Sequence, residues 1–421
     1  MKSICFYRFI HILTLLCVLN AAVLMNVARG QQTRQPNSQQ TKAAAMRVTP
    51  FPRRPTPEAV RWANRELALM SLDEKIGQLI SVGINATFLH QDSDAYRALR
   101  RQVEENHIGG ITLFRGPVYE SVHLVNRMQQ HSRRPLLISA DLEAGAGMRF
   151  DDTINFPWNM AVGATGNPDY ARRQGAITAR ESRALGIQQI FAPAVDVNNN
   201  AQNPVINVRS YGEDPQEVAR FAVAFIEGAQ AQGVIATAKH FPGHGDTAVD
   251  SHRGLPIINH ERARFDQIEL VPFQASIKAG VGAIMPSHIS VPQIDGTQIK
   301  RLPAERIIRP VYNQEGDEVL VEQATIPATL SPVVIGKLLR RELGFDGMVV
   351  TDALDMSGLT IYFTQEEAAV RAVAAGADML IKPADPGACV RGLREAVQSG
   401  KLTERRIEES TRRILAAKYD L

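Results

Sequence analysis

Short apolar runs alternate with longer amphipathic segments through most of this chain. Runs that are almost continuously apolar, with a helical pattern between each pair, are typical of parallel strands whose outer face is covered by helices. The eight candidate strands lie at residues 76–82, 108–114, 136–140, 187–197, 234–238, 281–285, 348–350 and 379–381.

The segments between these runs carry helix signals. Thr56-Pro57-Glu58 has a capping residue followed by proline at the first helical position, and we place the start of the folded domain there. Two final segments, 385–397 and 403–418, predict the last helix of the repeating pattern and one additional packed helix. Other helices are expected at residues 168–185, 215–232, 262–279, 332–343 and 366–375.

Eight strand–helix units in about 330 residues predict an α/β fold, a (β/α)₈ TIM barrel, as a single catalytic domain with an extra C-terminal helix. A doubly wound open sheet is the rival, but no Gly-x-Gly-x-x-Gly follows an early strand. In a barrel, catalytic side chains gather where strands end. Polar residues stand at the predicted ends of the third, fifth and seventh strands, at Asp141, Lys239 and Asp352.

The first 30 residues indicate export. Lys2 and Arg8 precede an apolar run, and Ala28 and Gly30 suit a cleavage site, so residues 1–30 are predicted to be a secretory signal peptide. An uncleaved membrane anchor is the alternative. Residues 31–55 are rich in Gln, Arg, Pro, Thr and Ser, which predicts a disordered linker before a domain at 56–421. The location expected is periplasmic or secreted.

Cysteine and charge limit the function classes. Removing the signal leaves Cys389 alone, so the exported chain has no intrachain disulfide. The chain has 47 basic and 44 acidic residues, and loss of the three basic residues of the signal leaves 44 of each. This balance favours neither nucleic acid nor an anionic membrane surface as a partner. We expect no stable membrane insertion after cleavage; the oligomeric state stays open.

The stretch from Lys239 to His252 is rich in ionisable side chains on backbone broken by glycine and proline, which is typical of an active-site loop. A metal site is one alternative, because His240 and His244 have the spacing of ligands on one helix face. Pro242 and the two nearby glycines make a helix improbable, so we predict no metal.

Residues 239–252 (KHFPGHGDTAVDSH), followed by Leu255-Pro256 and preceded far upstream by residues 70–79 (MSLDEKIGQL), resemble glycoside hydrolase family 3 enzymes of the bacterial β-N-acetylglucosaminidase (β-hexosaminidase) type. The resemblance covers residues 56–420. It implies a retaining exo-β-N-acetylglucosaminidase that needs no cofactor. The implied substrates are carbohydrates, either cell-wall peptidoglycan fragments or chitooligosaccharides with a terminal β-linked N-acetylglucosamine.

Glycoside cleavage of this kind needs an anion below the anomeric carbon and a proton source beside the leaving oxygen. Asp352 follows the apolar run 347–351, and the resemblance makes it the nucleophile. Asp355 is a competitor, but it lies past the strand end and is better suited to capping or to orienting the loop. The resemblance implies His252 as the acid/base with Asp250 as its partner, and an imidazole titrates near neutral pH.

The resemblance also implies that five residues bind the sugar, namely Asp141, Arg149, Arg209, Lys239 and His240. Ala144 replaces a glycine of the family pattern, and Ala146 stands where many relatives have arginine. Arg209 and Lys239 have a structural alternative, in which they pair with Asp196 or Glu143.

A charge-rich insertion at residues 296–325 has no counterpart of this length in most relatives. We expect it to overhang the mouth and contribute to aglycone selection, or else to be a surface excursion or an oligomer contact. Three other functions also stay open: a β-glucosidase, a glycoside phosphorylase of the same family, and a sugar-binding barrel without turnover.

Overall fold

Ten strands are present in the computed structural model, which describes residues 48–251, 254–308 and 323–421. Eight are parallel and follow the predicted apolar runs. In chain order the strands are β1 Ile80–Ile84, β2 Gly110–Leu113, β3 Leu137–Ala140, β4 Gln189–Ile190, β5 Ile235–Phe241, β6 Ala283–Pro286, β7 Gln298–Lys300, β8 Gln323–Thr325, β9 Met348–Val349 and β10 Leu380–Ile381.

The parallel strands curl into a barrel. Their order is β10-β1-β2-β3-β4-β5-β6-β9, and each neighbouring pair is hydrogen-bonded in parallel register. A parallel bridge between Val350 and Met379 joins β9 to β10, and the amide of Thr351 donates to the carbonyl of Met379 at 2.9 Å. The (β/α)₈ barrel predicted from the apolar runs is therefore confirmed.

Small polar side chains fill part of the barrel interior. The hydroxyl of Thr112 lies 2.9 Å from those of Ser81 and Ser139, so these residues on β1, β2 and β3 form one buried hydrogen-bonded row. Gln189 on β4 donates to Thr237 on β5 at 3.2 Å. The interior of a barrel of this size is packed rather than open, so a ligand must bind at one of its ends.

Helices cover the outside of the barrel, and many begin at a side chain that accepts a hydrogen bond from the first turn. Such caps are Thr56, Ser93, Asp214, Thr364 and Asp385. The helices are α1 Pro57–Ala68, α2 Leu72–Gln78, α3 Asp94–Glu104, α4 Val118–His131, α5 Asn159–Gly163, α6 Asp169–Ala184, α7 Pro215–Gln230, α8 Arg262–Gln267, α9 Leu270–Ala279, α10 Ser357–Thr360, α11 Gln365–Ala375, α12 Pro386–Gln398 and α13 Glu404–Tyr419, with a π-helix at Pro332–Glu342.

Two predicted elements differ from the structure. The run 76–82 was expected to be one strand, but α2 occupies its first part and β1 begins only at Ile80. The reason is a capping box, in which Ser71 and Glu74 satisfy each other's backbone amides and start a helix before the apolar residues. The helix expected at 262–279 is divided into α8 and α9, and the buried Glu269 at the break bonds to Asn199.

The packed chain begins before the boundary expected at residue 56. The amide of Phe51 donates to the carbonyl of Gln230 at 2.8 Å, and its ring occupies space that a side chain at Gly282 would need. Thr56 bonds to Asp420 through its amide and its hydroxyl. Residues 48–55, placed in the linker by composition, thus lie against the end of the barrel where β6 starts.

The predicted signal peptide of residues 1–30 and the predicted linker up to residue 47 lie outside the described residues. Within the described ranges, no helix is both long and apolar enough to cross a membrane. Part of the 296–325 insertion is described: β7 and β8 form an antiparallel pair, and the amide of Leu302 donates to the carbonyl of Ile361 at 2.9 Å. Residues 309–322 of the insertion lie outside the described part.

Candidate active site

A cavity of about 400 Å³ opens at the carboxyl ends of the barrel strands. This is the end of a TIM barrel where catalytic side chains are expected. Six of the residues singled out from the sequence line it, together with Glu143, His244, Ser251 and Lys382. Those six are Asp141, Arg149, Arg209, Lys239, His240 and Asp352.

Lys239 lies at the centre of the charged wall of this cavity. Its ammonium is 2.7 Å from Asp141 Oδ1 and 2.7 Å from Glu143 Oε1, and only 2% of its side chain is exposed. Arg149 donates Nη2 to the other oxygen of Asp141 at 2.5 Å. A buried ammonium between two carboxylates keeps its charge and holds both acids in fixed positions.

Glu143 is the acid that the sequence prediction did not include among the site residues. Arg209 donates two hydrogen bonds to Glu143, from Nε to Oε2 at 2.9 Å and from Nη2 to Oε1 at 2.8 Å. Arg209 and Lys239 therefore form the structural pairing with Glu143, and both also line the cavity, where their binding of the sugar stays a prediction. We call Asp141, Glu143, Arg149, Arg209 and Lys239 the mouth network. The signal for Glu143 was its place two residues after Asp141 at a strand end.

The charges of the mouth network are locked at neutral pH. Burial alone would favour the neutral form of Asp141, but Lys239 and Arg149 outweigh it and lower the pKa of Asp141 to about 2. Burial likewise opposes ionisation of Glu143, and Arg209 and Lys239 bring its pKa well below the usual range. The pKa of Lys239 is raised by the same two acids against the effect of burial. The wall thus presents fixed charges to any ligand.

His240 is oriented from behind by Asp196. The carboxylate is 2.8 Å from His240 Nδ1, and it accepts the His240 backbone amide at 3.1 Å. On the other side of the ring, Arg209 Nη2 lies 3.3 Å from Nε2. Since the guanidinium can only donate, we assign the proton of the neutral ring to Nδ1. Asp196 therefore holds both the tautomer and the ring plane of His240.

His244 ties the following loop to this arrangement. Its amide donates to Asp196 at 2.7 Å, Nδ1 lies 2.8 Å from the hydroxyl of Thr247, and Nε2 lies 3.1 Å from the hydroxyl of Ser251. Burial, assisted by the nearby His240, lowers the pKa of His244 to about 4, so the ring is neutral at pH 7. The Gly- and Pro-rich stretch is consequently a folded loop rather than a helix.

The predicted acid/base pair is only partly described. Asp250 is half-buried, and the next residue, Ser251, lines the cavity. His252 lies outside the described residues. The chain on either side of it packs on α10, because a side chain at Gly358 would meet the carbonyl oxygens of Ser251 and Gly254. The segment that carries Asp250 therefore borders the element that follows Asp352.

Asp352 stands at the end of β9 as expected. It is half-buried, lines the cavity, and accepts the amide of Ala353 at 2.8 Å. Asp355 is buried and lies 3.2 Å from the ammonium of Lys382, which also sits 4.3 Å above the ring centre of Phe114. The two roles expected for Asp355, capping the next helix or orienting the loop, stay predictions. Lys382 needs space at β1, where a side chain at Gly83 would collide with it.

The metal alternative concerned the histidines and acids of the loop. Within residues 48–251, 254–308 and 323–421, no group of three His, Cys, Asp or Glu side chains is arranged to hold an ion. His240 and His244 instead direct their Nδ1 atoms to Asp196 and Thr247.

The protein is a TIM barrel with a charged cavity at the carboxyl ends of its strands, which is where the active sites of TIM-barrel enzymes lie. Residues 71–417 match the family described as the glycosyl hydrolase family 3 N terminal domain. The chain belongs to glycosyl hydrolase family 3, as the resemblance of its motifs predicted.

Three relatives illustrate the range of the family. Beta-hexosaminidase A of Pseudoalteromonas piscicida is 35% identical over 77% of this chain and 55% of that protein. A family 3 β-N-acetylglucosaminidase from Paenibacillus sp. str. FPU-7 has a TM-score of 0.72 and 39% identity, covering 83% of this chain and 62% of that one. A beta-glucoside phosphorylase bound to 2FGlc has a TM-score of 0.76 and 29% identity, covering 89% and 63%. The chain thus spans less than two thirds of the length of these relatives.

Proposed function

We propose that this protein is a retaining exo-β-N-acetylglucosaminidase that removes terminal β-linked N-acetylglucosamine from a carbohydrate. One observation carries the proposal: Asp352 lies in the same cavity as the mouth network and His240. The cavity thus combines a nucleophile with charged groups that bind hydroxyls. The β-hexosaminidase and β-N-acetylglucosaminidase relatives support the choice of sugar.

The reaction has two displacements. The carboxylate of Asp352 attacks the anomeric carbon, the bond to the aglycone oxygen breaks, and His252, supported by Asp250, gives that oxygen its proton. A covalent glycosyl-enzyme results. Water then attacks the same carbon, the imidazole takes its proton, and the bond to Asp352 breaks. Two inversions return the sugar with its β configuration, which is why the enzyme is called retaining.

The mouth network binds the sugar hydroxyls, and its side chains keep their positions during both displacements. Asp141 accepts hydrogen bonds from sugar hydroxyls, and Arg149 and Arg209 donate to them. Their charges are fixed at pH 7 and their positions are set by Lys239 and Glu143. Groups that are already in position cost little reorganisation when the transition state forms.

The substrate proposed is a peptidoglycan fragment or a chitooligosaccharide, met outside the cytoplasm after export through the signal of residues 1–30. Cleavage of that signal leaves a periplasmic or secreted enzyme. No cofactor takes part in either displacement.

Parallel hydrolysis of aryl β-glycosides of N-acetylglucosamine, N-acetylgalactosamine and glucose tests the proposal. We expect efficient cleavage of the first alone, with the β anomer released initially in an NMR time course. Equal cleavage of the glucoside would assign a β-glucosidase instead, and release of the α anomer would exclude the covalent route. Absence of turnover on all three would leave a sugar-binding barrel.

The role of His252 is tested by the leaving group. If His252 donates the proton, His252→Ala should slow an aryl glycoside with a poor leaving group far more than a dinitrophenyl glycoside, which needs no protonation. Equal slowing of both substrates would remove His252 from that role.

A phosphorylase is the second candidate, because a beta-glucoside phosphorylase is among the structural relatives. Turnover is therefore compared with and without inorganic phosphate. An increase of tenfold or more, with a sugar 1-phosphate as product, would assign phosphorolysis; an unchanged rate supports hydrolysis.

The insertion at residues 296–325 is proposed to contribute to aglycone selection. Its stem is hydrogen-bonded to Ile361, in the segment that follows Asp352 and α10. Deleting residues 298–322 should slow a natural oligosaccharide more than a short aryl glycoside. Unchanged rates on both substrates would reduce the insertion to a surface excursion or an oligomer contact.

A further inference from the structure

A second cavity, of about 470 Å³, lies at the same end of the barrel but outside the active site. Its walls are the loop 87–92, which follows β1, and residues 119–127 of α4, which follows β2. The floor is apolar and packed: Leu124 and Tyr96 are buried there. We call this cavity the aromatic groove.

Two large aromatic side chains on the walls of the groove face solvent. Phe88 is 75% exposed and Tyr119 is 71% exposed. Of the phenylalanines in the described part of the chain, Phe88 alone is exposed. Tyr119 is held in place by an edge contact with His123 at 4.4 Å between ring centres. An aromatic ring left in water forfeits about 2 kcal/mol or more of burial free energy, so a pair on one cavity indicates a binding surface.

Polar side chains surround these rings. His90 accepts the amide of Asp92 at Nδ1, at 3.2 Å, which leaves Nε2 to carry a donor N–H. Glu120 and Arg127 line the groove beside it and provide an acceptor and donors. The groove therefore combines flat apolar faces with hydrogen-bonding groups of both kinds.

We propose that the aromatic groove binds a pyranose of a β-linked N-acetylglucosamine chain. In such a sugar the substituents are equatorial, so each ring face shows only C–H groups, which pack on an aromatic ring, while hydroxyls and acetamido groups point outwards to polar partners. A peptide would offer no repeating flat faces. The inference rests on the proposed function for the identity of the sugar.

Backbone hydrogen bonds connect the groove to the active site. The amide of Ala86 donates to the carbonyl of Arg115 at 2.5 Å, and the amide of Gly116 donates to the carbonyl of Arg149 at 3.3 Å. Arg149 belongs to the mouth network. Neighbouring strand-end loops thus carry the two sites. A polymer segment held in the groove raises the local concentration of chain ends at the cavity.

The test compares binding and turnover in one set of variants. Phe88→Ala and Tyr119→Ala are made singly and together, with Tyr170→Ala as the control, because Tyr170 is an aromatic residue on α6 that is 53% exposed. Retention on insoluble chitin and the KM for chitohexaose report the groove. The kcat/KM for an aryl N-acetylglucosaminide reports the active site alone.

For the double variant we expect weaker retention on chitin and a KM for chitohexaose raised about tenfold, with aryl-glycoside kinetics unchanged. Tyr170→Ala should match the wild type in both. Unchanged retention and KM in the double variant would overturn the groove proposal even if the aryl glycoside is cleaved. If the wild type does not cleave the aryl glycoside, the proposed function is overturned. Loss of chitin retention in the double variant of Phe88 and Tyr119, but not in Tyr170→Ala, would then still support a sugar-binding groove. Cellohexaose distinguishes an N-acetylglucosamine site from a general pyranose site, and equal binding would contradict the sugar assignment.

Discussion

Two clusters of buried charge lie at opposite ends of the barrel. The mouth network stands at the carboxyl ends of the strands, whereas the second cluster surrounds Asp378, just before β10, and we call it the basal cluster. Asp378 is fully buried and lies 2.6 Å from Arg340, 3.2 Å from Arg413 and 3.6 Å from Arg406. The mouth network has two buried acids and the basal cluster has one, and in both clusters neighbouring cations lower the acid pKa values below the usual range.

The clusters differ in where their remaining hydrogen bonds go. Asp378 also accepts the amide of Val349 at 2.9 Å and the hydroxyl of Ser410 at 2.7 Å. Arg340 and Arg406 spend donors on backbone carbonyls, including those of Gly347 and Ala377. The basal cluster therefore ties strands and helices together. The mouth network instead opens through its acids onto a cavity of about 400 Å³ that also contains Asp352. A smaller cavity of about 230 Å³ is lined by Arg413 of the basal cluster but not by Asp378.

Buried, strongly paired charges therefore do not by themselves identify an active site. Breaking a buried pair is costly wherever it stands, and pKa values are perturbed in structural clusters too. The adjoining cavity and the end of the barrel decide which cluster meets a substrate.

The largest expected effect belongs to Asp352. Asp352→Ala should lower kcat on an aryl N-acetylglucosaminide by about 10⁴-fold, because the covalent route is lost, with little change in stability. Steady-state kinetics and urea unfolding measure the two quantities. A loss of less than tenfold would mean that another carboxylate is the nucleophile, and Asp355→Ala is the variant to compare.

Asp378→Asn should lower the stability of the protein and leave its kcat almost unchanged. Removing the acid leaves three arginines around a neutral amide, and we expect about 3 to 5 kcal/mol less stability in urea unfolding. The kcat of the folded protein should stay within about twofold of the wild type. A specific loss of kcat without loss of stability would erase the distinction between the two ends.

The buried His244 should make the stability of the protein depend on pH. Its pKa in the folded protein is about 4, against about 6.5 when unfolded, so between these values the unfolded chain binds a proton that the folded protein does not. Its contribution to stability should therefore fall as pH decreases from 6.5 to 4, by about 3 kcal/mol in all.

Urea unfolding of wild type and His244→Gln at pH 7, 5.5 and 4.5 isolates this contribution, because the other groups titrate alike in both. The difference should shrink or reverse towards acid pH. A flat difference for His244→Gln would contradict the neutral, buried ring.

The smallest expected effect is that of Glu143→Gln. The amide keeps the shape but removes a charge from Lys239 and Arg209, so we expect kcat/KM to fall about 10- to 100-fold, mainly through misplaced binding groups. Glu269→Gln is the matched control, since Glu269 is equally buried but bonds to Asn199 and Arg264 outside the cavity. Equal losses in both variants would reduce Glu143 to a purely structural acid.

Much of the fold followed from local patterns. Five of the predicted strand runs contain the whole observed strand, and the runs 234–238 and 281–285 contain the start of β5 and β6, because a buried parallel strand is apolar at consecutive positions. The prediction of one strand over 76–82 was wrong because the end of α2 and the start of β1 are both apolar and adjacent. Only the capping box at Ser71 distinguishes them, and a cap acts on three or four residues rather than on the whole run.

The sequence by itself determined the barrel, the order of its units and the polar residues at the strand ends, since these depend on periodicity, caps and motif spacing. Only the tertiary structure decided that Glu143 joins Lys239 and Arg209, that Phe51 packs on the barrel, and that Phe88 and Tyr119 share a groove. These contacts join residues far apart in the chain. Their geometry depends on how closed strands bring loops together, which no local pattern encodes.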